Sequence, residues 1–157
     1  MRSLILIVAL LFTTMLMAES MSKMDLIKKA QQEVGEISPK KLKSLLDEEE
    51  DVVILDVRES EQRAEGSIPS NELNKERFIS ITRGNLEWKV NELIQDKSVI
   101  IVTYCREGGR GALAAQVLRE MGYKNATTLK GGLKGWAEAG YSIGTGLGMT
   151  TLERKSR

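Results

Sequence analysis

One cysteine, Cys105, stands near the head of the segment Tyr104-Cys105-Arg106-Glu107-Gly108-Gly109-Arg110-Gly111. A sulfur placed where a strand hands over to a helix lies among backbone N–H groups, because glycines let the chain curl inward and the helix start adds a positive field. Those surroundings favour the thiolate, the nucleophilic form of cysteine. Arg106 and Arg110 bring positive charge to the mouth of such a loop. Glu107 opposes them and is expected to turn outward if anions bind. The same donors suit a persulfide on that sulfur, or the sulfonate end of a donor such as thiosulfate. The competing reading is a buried cysteine that ends a core strand beside a tight glycine turn, and the local sequence leaves both open.

Histidine is absent from all 157 residues. That excludes Ser-His-Asp and Cys-His catalysis and histidine-ligated metal sites within this chain, so a reactive thiol must be activated by its local field. With Cys105 as the sole cysteine, no internal disulfide can form. Met1-Arg2-Ser3 leads into an apolar run from Leu4 to Met17, which ends at Ala18 before Glu19 and Ser20. This layout predicts a secretory signal peptide over residues 1–18, too short to span a bilayer comfortably. Export to the periplasm is the consequence, with no stable membrane insertion after cleavage. Leu16, three residues before the cut, is larger than such a site prefers; an uncleaved anchor and a buried first element are the alternatives. Cleavage removes one of the 23 basic residues, Arg2, and no acid, leaving 22 basic against 22 acidic residues. Balanced charge gives no argument for nucleic acid or an anionic membrane as partner.

The elements that must position the loop follow from periodicity. Residues 19–36 hold an amphipathic helix with Met24, Ile27, Ala30 and Val34 on one face and Gly35 to end it. Ser38 is the expected N-cap of a second helix, with Pro39 in its first turn and Leu42, Leu45 and Leu46 as its buried stripe. Val52-Val53-Ile54-Leu55 and Val99-Ile100-Ile101-Val102 are short, β-branched runs suited to strands covered on both faces. Between them Leu86, Val90, Leu93 and Ile94 recur at helical spacing. Ala112–Met121 is expected to be a helix with Leu113, Val117, Leu118 and Met121 inward. Ala126–Leu129 then forms a strand, Gly131-Gly132 a turn, and Leu133–Ala139 a short helix. Alternation of this kind predicts an α/β domain with a mainly parallel central sheet flanked by helices in three layers. Residues 144–157, rich in glycine and ending in Arg154-Lys155-Ser156-Arg157, are expected to be a flexible basic tail.

Several separated pieces between Ile37 and Tyr141 resemble, in order, the rhodanese family. They are the opening helix at 37–46, Ile54-Leu55-Asp56-Val57-Arg58-Glu59 at a strand end, and Gly66-Ser67-Ile68-Pro69. Further along come Arg83-Gly84-Asn85-Leu86-Glu87, the loop Cys105 to Arg110, and Gly131-Gly132-Leu133-Lys134-Gly135-Trp136. The resemblance implies a rhodanese-like domain over 37–143 and a sulfurtransferase of the thiosulfate type. Cys105 would be the sole nucleophile, cycling between thiolate and persulfide, with Arg106, Glu107, Gly108, Gly109 and Arg110 as the anion cradle. Asp56 and Arg58 would support the site, more as a strand-terminal ion pair than as catalysts. Implied partners are a sulfane donor such as thiosulfate and a thiol or cyanide acceptor, with no cofactor and no metal. A protein donor or acceptor is the alternative, which would make the chain an exported persulfide carrier with little small-molecule turnover; an inert structural domain is a third reading.

Loop length bears on the chemistry. In the wider fold, phosphatase relatives carry one residue more in this loop and a histidine before the cysteine, whereas Cys105 to Arg110 is six residues and Tyr104 precedes it. Phosphatase activity is disfavoured. Ser67 replaces the family's usual histidine, Ser70-Asn71 replaces Gly-Ala, and residues 71–78 are longer and more polar than usual. Trp88 and Trp136 are expected to pack in the core or at its rim.

Overall fold

The computed structural model describes residues 20–151. The expected signal peptide, residues 1–18, and the basic end of the chain lie outside them. The elements run in order α1 (Lys23–Val34), β1 (Glu36–Ile37), α2 (Pro39–Asp47), β2 (Val52–Asp56), α3 (Ser60–Ala64) and β3 (Phe78–Ser80). After these come α4 (Leu86–Leu93), β4 (Ile100–Tyr104), α5 (Gly109–Glu120), β5 (Ala126–Leu129), α6 (Gly132–Glu138), β6 (Ile143–Thr145) and β7 (Gly148–Thr150).

Five strands form one sheet in the order β1-β5-β4-β2-β3, and every neighbouring pair is parallel. Parallel strands need crossovers, and the crossovers place helices on both faces, so all five residues of β2 are buried. On one face Val34, Leu86, Val90, Ala114, Ala115 and Leu118 cover the sheet; on the other, Leu42, Ile68, Leu133 and Trp136 do so. Helix starts follow their caps: the Ser22 and Ser38 hydroxyls accept from the N–H groups of Asp25 and Lys41 at 3.2 and 3.1 Å.

Several expectations shift. β4 begins at Ile100, not Val99, and runs to Tyr104, so that Cys105 is the first residue beyond the strand. α5 begins at Gly109, three residues before the expected Ala112. Its buried face is Ala112, Ala114, Ala115 and Leu118, while Leu113, Val117 and Met121 are half-buried. Small residues let α5 press close to the sheet, and another of its faces carries α1: Arg119 donates to the Glu33 and Val34 carbonyls at 2.6 and 2.8 Å. Only Ala30 and Val34 of α1 are fully buried, and Met24 is exposed. On α4 the inward residues are Leu86 and Val90, Leu93 is exposed, and Ile94, just past the helix, is buried.

Trp136 is buried, donating from Nε1 to the Ser142 carbonyl at 2.9 Å, whereas Trp88 is 80% exposed and packs in no core. The expected tail does not start at 144. Antiparallel β6 and β7 form a hairpin tied to Ser67, whose N–H and carbonyl pair with Gly144 at 2.8 and 2.9 Å. The short edge strands β1 and β3 carry too few residues for a periodic signal, and β3 starts inside the polar segment 71–78.

Candidate active site

Tyr104 ends β4 at the sheet's centre, and Cys105 follows it, 3% exposed. The loop then closes in three residues. Gly108 takes φ +96°, a conformation that side chains resist, and there its N–H donates to Cys105 Sγ at 3.2 Å. α5 starts at the next residue, so the expected cradle is half loop and half first helical turn, with the positive end of the helix beside the sulfur.

What holds the loop in this curl is the start of α6. The N–H of Leu133 donates to the Cys105 carbonyl at 2.9 Å and that of Lys134 to the Arg106 carbonyl at 3.0 Å. A trans peptide sets its N–H opposite its C=O, so fixing those two carbonyls toward α6 aims the N–H groups of Arg106 and Glu107 to the other side. The approach is close because Gly132 has no side chain. A Cβ there would lie 2.4 Å from the Cys105 oxygen and 2.8 Å from the Gly108 nitrogen. Gly111 serves in the same way against the sheet, where a Cβ would meet Thr128 Oγ1 at 2.6 Å.

The charged side chains of the loop are distributed by their partners. Arg106 lies near Glu65 at 3.9 Å and Glu107 near Lys134 at 3.8 Å, both exposed pairs that contribute little energy. Glu107 therefore faces outward, toward Lys134. Arg110 is half-buried, and its Nη2 donates to Gln62 Oε1 at 2.6 Å.

Asp56 and Arg58 form a buried pair, 3% and 1% exposed. Arg58 donates to the Asp56 carboxylate from Nε at 2.9 Å and from Nη2 at 2.6 Å. Its Nη1 and Nη2 also donate to the carbonyls of Gln62 and Gly66 at 2.9 and 2.8 Å, so one side chain fastens the middle of α3 and the turn after it. Burial opposes the Arg58 charge, but hydrogen bonds and attraction from Asp56 outweigh it and hold the guanidinium above its ordinary value. The guanidinium also lies 5.3 Å from the Tyr104 ring centre. Burial first, and then the Asp56 charge, push the Tyr104 phenol well above its usual range. The pair is a buried ion pair at the end of β2.

Ser67 and Ser70 line a cleft of about 210 Å³ with Asp56, Ser80 and Tyr104. Two larger clefts, about 480 and 500 Å³, lie beside α2 and beneath the β6–β7 hairpin; Cys105 lines neither. Among the described residues no group of three or more acidic, cysteine or histidine side chains is placed to hold a metal ion. Sequence reasoning overlooked Gln62, Glu65 and Lys134, whose partners in the loop are distant in the chain. It also took Gly132 for a turn residue, where the structure makes it the contact that shapes the loop.

Comparison with known proteins agrees with this geometry. A family described as Rhodanese-like domain matches residues 38–139. A sulfurtransferase of Allochromatium vinosum is 33% identical over 110 residues, covering 70% of this chain and 94% of the relative. A thiosulfate sulfurtransferase of Pseudoalteromonas translucida is 35% identical over 98 residues, covering 62% and 83%. Among solved structures, a protein of unknown function from Rhodopseudomonas palustris, described as a possible tyrosine phosphatase, superposes with a TM-score of 0.67 at 26% identity, covering 76% of this chain and 92% of that one. The motifs around Cys105, the all-parallel sheet that carries them and the extent of the match make this chain a member of the rhodanese-like domain family.

Proposed function

We propose that the chain is a sulfurtransferase that carries sulfane sulfur on Cys105 between an anionic donor of the thiosulfate type and a thiol or cyanide acceptor. The observation that supports it most is the pairing of Gly108 N–H with Cys105 Sγ inside a loop whose neighbouring carbonyls are tied away. The Cys105 thiolate attacks the outer sulfur of thiosulfate; an S–S bond forms, the old S–S bond breaks, and sulfite leaves with its electron pair. Cyanide or a thiolate then attacks the terminal sulfur of the persulfide, forming thiocyanate or a new persulfide and returning the Cys105 thiolate. Both steps move sulfur between anions and transfer no proton, so a site without histidine suffices for them. Backbone N–H donors stabilise the negative sulfur in each state. Steady-state formation of thiocyanate from thiosulfate and cyanide tests the reading: wild type turns over and Cys105→Ser does not. Equal rates in the two proteins would remove it.

A second reading has one observation in its favour. Arg106, Glu107 and Arg110 each already have a partner, and Cys105 lines neither of the two larger clefts, which suits sulfur delivered by another protein. Slow turnover with small donors, together with a long-lived persulfide on Cys105, distinguishes that carrier. The apolar segment 4–17 supports export, and we place the activity in the periplasm. N-terminal sequencing of protein recovered from that compartment, starting near Glu19, is the expected result.

A further inference from the structure

The buried Asp56–Arg58 pair reaches the loop through one residue. α3 is only five residues long and has no side-chain N-cap, so it cannot hold its own shape. Arg58 holds it from outside by donating to the carbonyls of Gln62 and Gly66. Gln62 is thereby fixed at its backbone, while its side chain accepts from Arg110 Nη2 at 2.6 Å. Because guanidinium only donates, the atom that faces it must be the amide oxygen.

We propose that Gln62 is a positioning residue that fixes the Arg110 guanidinium at the mouth of the Cys105 loop. A free arginine side chain spends its time in many rotamers; one strong bond to a fixed acceptor removes most of that freedom. The choice of an amide matters. The other loop arginine, Arg106, lies near the carboxylate of Glu65 at 3.9 Å, which offsets its charge. Gln62 holds Arg110 without offsetting its charge, and leaves its other N–H donors for an anion. The arrangement rests on the sulfur-transfer reading only for the identity of that anion.

The test measures alkylation of Cys105 by anionic iodoacetate and neutral iodoacetamide, alongside thiosulfate KM and kcat, in the full chain. Gln62→Ala keeps the backbone carbonyl that Arg58 uses and suits a helix, so the fold survives. It is expected to lower the iodoacetate-to-iodoacetamide rate ratio by about threefold to fivefold, and to raise thiosulfate KM by a similar factor with kcat little changed. Gln62→Glu lowers the ratio further, since it holds Arg110 but offsets its charge. In an Arg110→Ala background Gln62→Ala changes nothing more. A general loosening of the loop would alter both reagents alike and leave the ratio where it was. An unchanged ratio, or the same effect with and without Arg110, overturns the proposal. If the ratio responds while wild type takes no sulfur from thiosulfate, the positioning role stands and the sulfur-transfer reading falls.

Discussion

Gly132→Ala adds a single methyl group at the contact between the start of α6 and the Cys105 loop. The backbone there has φ +59°, which costs a non-glycine residue about 1 kcal/mol. The added carbon would lie 2.4 Å from the Cys105 oxygen. Ordinary carbon–oxygen contacts begin near 3.3 Å, so the two backbones must part by roughly 0.9 Å. Both partners are main chain, and no rotamer can relieve the overlap. Parting them breaks the bonds from Leu133 and Lys134 to the Cys105 and Arg106 carbonyls, at about 1 kcal/mol each. The total is about 3 kcal/mol, or a fall in Tm of roughly 12 °C if the whole fold bears it. If the loop alone gives way, Tm falls less, but the Gly108 N–H loses its aim at the sulfur. A displacement of that size at a reacting atom costs on the order of 100-fold in rate. Gly140→Ala is the control: its φ is +87° with nothing within 4 Å, so it carries the backbone strain without the contact. Thermal unfolding and the rate of sulfur loading on Cys105 are measured for both. Loading within threefold of wild type in Gly132→Ala, with a Tm like that of Gly140→Ala, would refute the account of how the loop is held.

Arg58→Ala leaves the Asp56 carboxylate buried without its partner and releases the Gln62 and Gly66 carbonyls of α3 and the turn after it; a loss of about 3–5 kcal/mol in urea unfolding is expected. The raised Tyr104 phenol makes the folded state bind its proton more tightly than the unfolded chain does. Stability is therefore complete below the ordinary value of 10.0 and declines as pH rises past it, so wild type should lose stability faster than Tyr104→Phe above pH 10 in urea titrations. Equal slopes would show that the phenol is not shielded. Trp136→Ala should cost about 3–5 kcal/mol and Trp88→Ala less than about 0.5 kcal/mol, since only the first is buried.

The Cys105 loop was legible because its pattern is written in consecutive residues: a cysteine, two arginines and three glycines between a β-branched run and a helix. β2 and β4 were legible for a similar reason, as Val52–Leu55 and Ile101-Val102 suit only strands covered on both faces. What the sequence hid depends on contacts across the chain. Gln62 meets Arg110 48 positions later, from a five-residue helix too short to show a period. The buried face of α5 is mostly alanine, so the larger Leu113 and Val117 drew the inward face to the wrong side. Trp88 looked like a core residue by type, but α4 already covers the sheet with Leu86 and Val90 and leaves the indole outside. Gly132 advertised a turn; only the fold shows what its missing side chain makes room for.

Transferable sulfur held on Cys105 is the property to measure directly. Intact mass of the protein is measured after thiosulfate, after removal of the donor, and again after cyanide, with Cys105→Ser in parallel and an aryl phosphate as the alternative substrate. Wild type alone is expected to gain one sulfur atom, to release it completely as thiocyanate, and to hydrolyse no phosphate. A wild type that gains no sulfur, or one that hydrolyses the phosphate through Cys105, would contradict the proposed sulfur transfer.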